Sequence, residues 1–374
     1  MASGFTRFRY GDPFTTFEES TSTNIGFDAG LVDGKLGLVF DWYTREVDGL
    51  LFDAPFPGTA GNGNAPFRNL AGMKNTGWDI GITYQDEIAS DLNLNVSLNL
   101  SHYTNEILSL DGNADLIFPG GVDKRFGETN AWVVGEPISA FYGFTQDGIF
   151  TDENQIYDET DNPSGLDQTG AAVGRFRWKD LNNDGQINDD DKGIIGNPHP
   201  DLTMGLTIGL DYKNFDFSMF LFGSFGNDIY NYNRLFTHFG FFNSNVSREV
   251  LTNSWHATDN PNGTLPALDG GDSFSTESST FYVEDGSYLR AQNLTIGYTF
   301  PTGQILGFES IRLYAQAQNL FTITGYSGID PALSTVNMGQ TDSSGRRQND
   351  GWAGFDFGNY PANRSFIFGV NARF

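Results

Sequence analysis

The side chains of this 374-residue chain whose types and spacing suit chemistry best lie in one acidic run, Asp180–Asp191. Asp180, Asn182 and Asp184 alternate, Gly185 follows, and Gln186, Asn188 and Asp191 continue the spacing. The run fits D-x-[DN]-x-[DN]-G, with apolar Ile187 in the eighth place and a carboxylate in the twelfth. Ca²⁺ takes about six to eight oxygens, which alternate side chains and one backbone carbonyl supply around a turn that a glycine permits. Asp180, Asn182, Asp184 and Asp191 would ligate through side chains, Gln186 through its carbonyl, and Asn188 through a water. Asp191 is shorter than the Glu usual at that place, and no helical pattern flanks the loop, so a helix–loop–helix sensor is not indicated. The same residues also make an Asx-rich turn that needs no metal. Both readings stand.

Other chemistry finds little to work with. The histidines His102, His199, His238 and His256 are scattered, without H-E-x-x-H or paired spacing. There is no P-loop, no G-x-S-x-G elbow and no dinucleotide glycine pattern. The expectation is that the chain is not an enzyme. A net charge of −26 repels phosphate backbones, so no nucleic acid partner is expected. Cysteine is absent, which removes disulfide frameworks and thiolate metal sites. The stretch Met1–Tyr10 lacks the apolar core of a signal peptide.

The elements that must position these residues read as strands. With 46 Gly, 34 Phe and 15 Tyr, the composition suits strands and turns. No stretch approaches the roughly 18 uninterrupted apolar residues of a spanning helix. The informative signal is a period of two. Leu92, Leu94, Val96, Leu98 and Leu100 alternate with Asn93, Asn95, Ser97 and Asn99. Leu202, Met204, Leu206, Ile208, Leu210 and Tyr212 repeat the pattern, as do Ile25, Phe27, Ala29 and Leu31, and Trp78, Ile80, Ile82 and Tyr84. The chain closes on Phe366, Phe368, Val370, Ala372 and Phe374 in the same phase.

These runs reach about 10 residues, the length a tilted membrane strand needs, whereas soluble strands average nearer 5–6. The spacing predicts strands over 22–32, 35–50, 75–86, 91–104, 201–212, 215–226, 287–300, 309–322 and 364–374. A further strand over Phe5–Asp12 would make ten. Connections alternate between tight turns and long loops, the longest spanning 105–200, which is the arrangement of an outer-membrane barrel with its short side periplasmic. Nine or ten strands leave two long edges unpaired in lipid, so the chain reads as all-β, a segment of a larger antiparallel transmembrane barrel with long extracellular loops.

Several blocks then resemble the SusC/RagA-type TonB-dependent outer-membrane transporters of Bacteroidetes-like bacteria. They are Gly135–Phe150 (GEPISAFYGFTQDGIF), Arg177–Asp201 around the acidic run, Gly223–Tyr230, Val283–Pro301 (VEDGSYLRAQNLTIGYTFP), Ala317–Thr322 and Tyr360–Phe374. They cover nearly the whole chain in the family's order. The resemblance implies the C-terminal part of a plugged barrel of about 22 strands in the outer membrane. It further implies import of oligosaccharides or peptides, energy from the TonB complex, and a SusD-like surface lipoprotein as partner. The plug domain and N-terminal strands are not found here, so this stretch alone is not expected to transport. A last strand carrying Phe366, Phe368, Val370, Ala372 and Phe374 is similar to the signal read by outer-membrane assembly machinery, although lipid-facing alternation alone gives the same pattern.

Loop aromatics Phe236, Phe239, Phe241, Phe242, Trp255 and Phe274 suit either sugar stacking and a lipoprotein lid, or packing of the loops on one another. The rival to a membrane barrel is a secreted or surface all-β binding protein with Ca²⁺-stabilised loops. The two differ in whether the apolar strand face meets lipid.

Overall fold

A computed structural model of the chain describes residues 10–53, 66–110, 115–118, 128–240, 245–301, 308–333 and 353–373. Nine long strands follow one another: β1 (Glu19–Leu31), β2 (Leu36–Asp53), β3 (Phe67–Ala89), β4 (Leu92–Leu110), β5 (Leu202–Tyr212), β6 (Phe215–Phe225), β7 (Tyr288–Phe300), β8 (Ser310–Gln318) and β9 (Ser365–Arg373). Each pairs antiparallel with its sequence neighbours in a single up-and-down sheet, and a short extension, Thr322–Thr324, adds to β7. Among the described residues β1 and β9 are each paired on one side only.

Register explains why alternation was the right signal. Leu31, Leu36, Tyr84, Val96, Ile208, Met219, Leu294, Ala317 and Phe366 are successive cross-strand partners, one from every strand. The next row runs Gly30, Gly37, Thr83, Ser97, Thr207, Phe220, Asn293, Gln318 and Ser365. A slip of one residue in any strand would carry its apolar set to the polar face, so the two rows fix every register at once. The apolar face is open to its surroundings: Phe366, Phe368 and Val370 are 63 %, 81 % and 64 % exposed.

Turn chemistry fixes one end of the sheet. Val32, Asp33 and Gly34 adopt positive φ between β1 and β2, as do Asp91 between β3 and β4 and Lys213 between β5 and β6. Such left-handed residues close short hairpins. Near this end Arg312 donates from Nε to Asp216 Oδ1 at 2.9 Å on the polar face. Gly297 lies between them; a Cβ there would stand 2.6 Å from Arg312 Nε, so only glycine leaves room for the pair.

The strands depart from expectation at the other end. β3 starts at Phe67 rather than 75 and β4 runs to Leu110 rather than 104. Arg68, Asn69 and Ala71 lack alternation, but they are held by pairing to Phe52, Leu51 and Leu50 across two register shifts. Ala71, Ile107, Leu110 and Trp132 form a small core that rewards this extension. Residues 10–12 of the proposed extra strand are not extended into a ladder, and 5–9 lie outside the described residues. The β6–β7 ladder shifts register once, between Phe220↔Asn293 and Leu221↔Ala291, leaving Gln292 as an added residue.

Candidate functional site

The long connections that follow β4, β6 and β8 all leave the same end of the sheet, and they pack into one unit. Its core is aromatic: Phe141, Phe144, Phe176, Trp178, Tyr230, Tyr232, Phe281, Tyr282 and Phe355 are buried together. Small sheets knit the connections, including Asp228–Asn231 between Val283–Asp285 and Phe355–Asp356. Tyr230 stacks on Tyr282 with ring centroids 5.3 Å apart, and burial pushes both hydroxyls well above the ordinary tyrosine range. The loop residues therefore sit on a packed scaffold rather than on isolated excursions.

The acidic run lies on this unit. Asp180 accepts from the backbone N–H of Asn183 at 2.6 Å and of Gly185 at 2.8 Å. Asn182 Oδ1 accepts from Asp184 N–H, and Asp184 Oδ1 from Gln186 N–H. Asn188 caps the short helical turn Asp189–Asp191 by accepting from Asp190 N–H. Asp191, fully buried, accepts from the N–H groups of Leu181 and Asn188 and so ties the two ends of the loop together. Positive φ at Asn183 and Gly185 makes the turn. The run is thus a closed Asx-rich loop in which Asp180, Asn182, Asp184, Asn188 and Asp191 each hold at least one backbone donor through a side-chain oxygen. Among the described residues no group of three or more His, Asp or Glu side chains converges as a metal centre.

The histidines are set apart and serve local contacts. His102 Nδ1 meets the Asp201 carbonyl at the top of β4. His199 lies between Tyr103 Oη, 3.0 Å from Nδ1, and the Ile138 carbonyl, 2.8 Å from Nε2. Burial lowers its pKa, which keeps the ring neutral where the sheet meets the loop unit. His238 pairs with Glu249 at 3.1 Å, and His256 sits in a turn beside Thr258 and Asp259.

Of the loop aromatics, Phe239 and Trp255 are buried and Phe236 packs against the aromatic core. The ring of Phe274 lies 5.6 Å from the Arg175 guanidinium. These four pack the loops on one another; Phe241 and Phe242 lie outside the described residues, as does Phe374.

Sequence reasoning missed two features. One is the polar staple within the loop unit, where Tyr326 donates to the buried Asp356 at 2.6 Å and Asp356 also accepts from Gly358 N–H. The other is a duplicated turn. Thr160–Gly165 (TDNPSG) and Thr258–Gly263 (TDNPNG) recur 98 positions apart, legible in the sequence once sought. In each the Asn amide donates to two earlier carbonyls, Asn162 to Asn154 and Ile156, Asn260 to Thr252 and Ser254.

No protein-family model matches the chain. It is similar to TonB-dependent receptor P3 of Formosa agariphila, 33 % identical over 364 residues, covering 96 % of the chain and 34 % of that protein. It is also similar to TonB-dependent receptor SusC of Bacteroides thetaiotaomicron, 28 % identical, covering 96 % of the chain and 32 % of SusC. In fold it matches the solved RagAB peptide transporter with a TM-score of 0.74 at 23 % identity, covering 95 % of the chain and 35 % of that structure. The RagAB peptide importer in its open-open state gives 0.75, again at 23 % identity, over the whole chain and 36 % of that structure. The chain spans about a third of the length of the relatives it matches.

Proposed function

We propose that this chain, whose homologues are TonB-dependent receptors including SusC and whose fold is that of the RagA-type barrel, forms the C-terminal barrel wall and outer loops of an outer-membrane importer. The whole protein takes up oligosaccharides or peptides, without enzymatic chemistry in this stretch. It works with a SusD-like surface lipoprotein over the loop unit and with the TonB complex through a plug domain. The observation that carries the reading is the row of nine apolar side chains crossing all nine strands, backed by a row of glycine and mostly polar residues. A face of that kind on strands of 9 to 23 residues suits lipid on one side and a wet lumen on the other. The two half-paired edges, β1 and β9, are met by the remaining strands of the barrel, because open edges do not persist in hydrocarbon.

In this reading the short turns are periplasmic and the loop unit is outside. The acidic loop is a structural Ca²⁺ site, supported by its donor types and turn. Asp180, Asn182, Asp184 and Asp191 hold the ion through side chains, with the Gln186 carbonyl and a water on Asn188. The ion would neutralise clustered acid and brace the loop. The β9 set Phe366, Phe368, Val370 and Ala372, with Phe374, carries the assembly signal, so removing Phe374 lowers insertion of the full-length receptor.

This stretch carries no cysteine of its own, so orientation is testable on intact cells with single cysteines placed in it, in a whole receptor whose other cysteines, if any, are replaced. A membrane-impermeant maleimide is expected to label Asp161→Cys in the loop unit and to leave Lys213→Cys in the β5–β6 turn unlabelled. Labelling of Lys213→Cys alone reverses the orientation, and a receptor recovered in the aqueous fraction without detergent overturns the membrane reading.

A further inference from the structure

The duplicated turn is one backbone closed by two different acceptors. In each copy residues four apart exchange backbone bonds, Asp158 with Asn162 at 3.0 Å and His256 with Asn260 at 3.1 Å. The closing glycine, Gly165 or Gly263, then donates to the asparagine carbonyl at 3.1 Å. The side chain at the head of the turn fills the same place in both. Asp158 Oδ1 accepts from the N–H groups of Thr160 and Asp161, each at 2.8 Å. In the second copy the His256 ring stands there instead. Its Nδ1 accepts from the N–H groups of Thr258 at 3.4 Å and Asp259 at 3.2 Å.

The exchange of acceptor changes what acid does to the turn. A backbone N–H can only donate, so two of them facing Nδ1 require that nitrogen to be bare, with the ring proton on Nε2. Histidine is the side-chain type that changes charge between about pH 5 and 8. A proton on Nδ1 would set a third N–H against the two already there, and the acceptor is lost. The first turn is spared this. The Asp161 and Thr160 N–H groups hold the Asp158 carboxyl below the ordinary aspartate range, so its acceptor persists in mild acid. The charged groups around His256 do not restore the turn. Asp259 Oδ2 lies 3.4 Å from Nδ1, but the two side chains are 61 % and 86 % exposed, and an ion pair so open to water is worth little. That pairing would also replace the turn bonds rather than add to them. On the preceding helix, Arg248–Asn253, Arg248 stands at the far end, and Glu249 is taken by His238 at 3.1 Å and faces Arg234 at 3.8 Å. Gln146, Gly148 and Thr151, which face the turn across a groove, carry no charge.

We propose that the second turn is an acid-sensitive latch in the loop unit: a proton taken up at His256 Nδ1 removes the acceptor that holds the Thr258 and Asp259 amides and loosens the turn, while its twin, headed by Asp158, stays closed. The latch is joined to the packed interior at two points. The residue before His256 is Trp255, 8 % exposed within the aromatic core. Asn260, at the other side of the turn, bonds the Thr252 and Ser254 carbonyls at 3.2 and 2.9 Å, where the preceding helix ends. Loosening therefore reaches beyond the exposed rim. The inference concerns this stretch alone and holds whatever the barrel carries.

The test is hydrogen–deuterium exchange of the full-length receptor in detergent, read by mass spectrometry on peptides spanning residues 152–166 and 250–266. Both turns share one sample, so the ordinary effect of pH on exchange cancels in the ratio of their protection. From about pH 8 to 5 that ratio should move about fivefold toward faster exchange in the second turn, the equivalent of one hydrogen bond. His256→Asp, which copies the acceptor of the first turn, should remove the change. Asp158→His should confer it on the first turn. Equal responses of the two turns in the parent protein, a response that survives His256→Asp, or a first turn unmoved in Asp158→His overturns the proposal. Failure of the orientation experiment would sink the importer reading without touching this one.

Discussion

Arg290 on β7 and Asp330 in the connection after β8 form an ion pair in which both side chains are more than nine-tenths buried. Further hydrogen bonds hold the pair: Arg290 Nε donates to Thr322 Oγ1 at 2.8 Å, and Asp330 accepts from the N–H groups of Ala332 and Ala362. It pins the last long connection to the barrel wall at both of that connection's ends. Replacing Arg290 by Ala strands a buried carboxylate and should destabilise by about 3–5 kcal/mol. Arg290→Met with Asp330→Leu should recover much of that loss. Denaturant unfolding of the receptor checks both, and a single variant as stable as the double would refute the pairing argument.

His199 gives stability a pH dependence. Burial lowers its folded pKa below the unfolded value of 6.5, so the unfolded chain binds more protons in acid. Stability is therefore complete above about 6.5 and falls as pH drops from there toward the depressed folded pKa. His238, also lowered by burial though opposed by Glu249, acts in the same direction. His199→Gln should flatten the fall in unfolding midpoint between pH 7.5 and 5. An unchanged slope would place the dependence elsewhere.

Calcium should raise the melting temperature of the receptor and release or absorb heat on titration. Asp184→Ala should remove both responses, since it deletes a side-chain oxygen while leaving the buried Asp191 tie intact. Equal responses from the parent and Asp184→Ala would leave the run as a turn held by its own hydrogen bonds.

The two faces of β5 should respond oppositely to charge. Ile208→Arg puts a cation in the apolar row and should cost about 2–4 kcal/mol near the bilayer centre. Thr207→Arg, one residue away on the polar row, should be tolerated. Heat-modifiable migration of receptor refolded into vesicles reports the folded fraction, and equal tolerance of both would remove the lipid from the account.

Much of this was legible in the chain. β4, β5 and β9 announce themselves because lipid and lumen impose a strict period of two on side chains such as Leu94, Val96 and Leu98. The first part of β3 was not legible, because Arg68, Asn69 and Ala71 are strand by virtue of what pairs with them. The loop unit was hidden for a related reason. Phe141, Tyr230, Tyr282 and Phe355 meet from three different connections, and no local spacing encodes that meeting. The turn of the acidic run was legible because Asx chemistry is local, and that turn is common to both readings its residues allow.

The single added residue in β7 has a topological meaning. On that strand Leu294, Ile296, Tyr298 and Phe300 share the apolar face, and an unbroken ladder would send Arg290 and Tyr288 out with them. Because Gln292 is skipped, Ala291 meets Leu221 on the apolar side and Arg290 meets Phe222 on the other. The shift works as a frame correction written into the ladder, one strand obeying two reading frames. The lower frame keeps lipid-facing carbon continuous; the upper lets an arginine cross from the hydrocarbon side to the lumen side, where Asp330 can reach it.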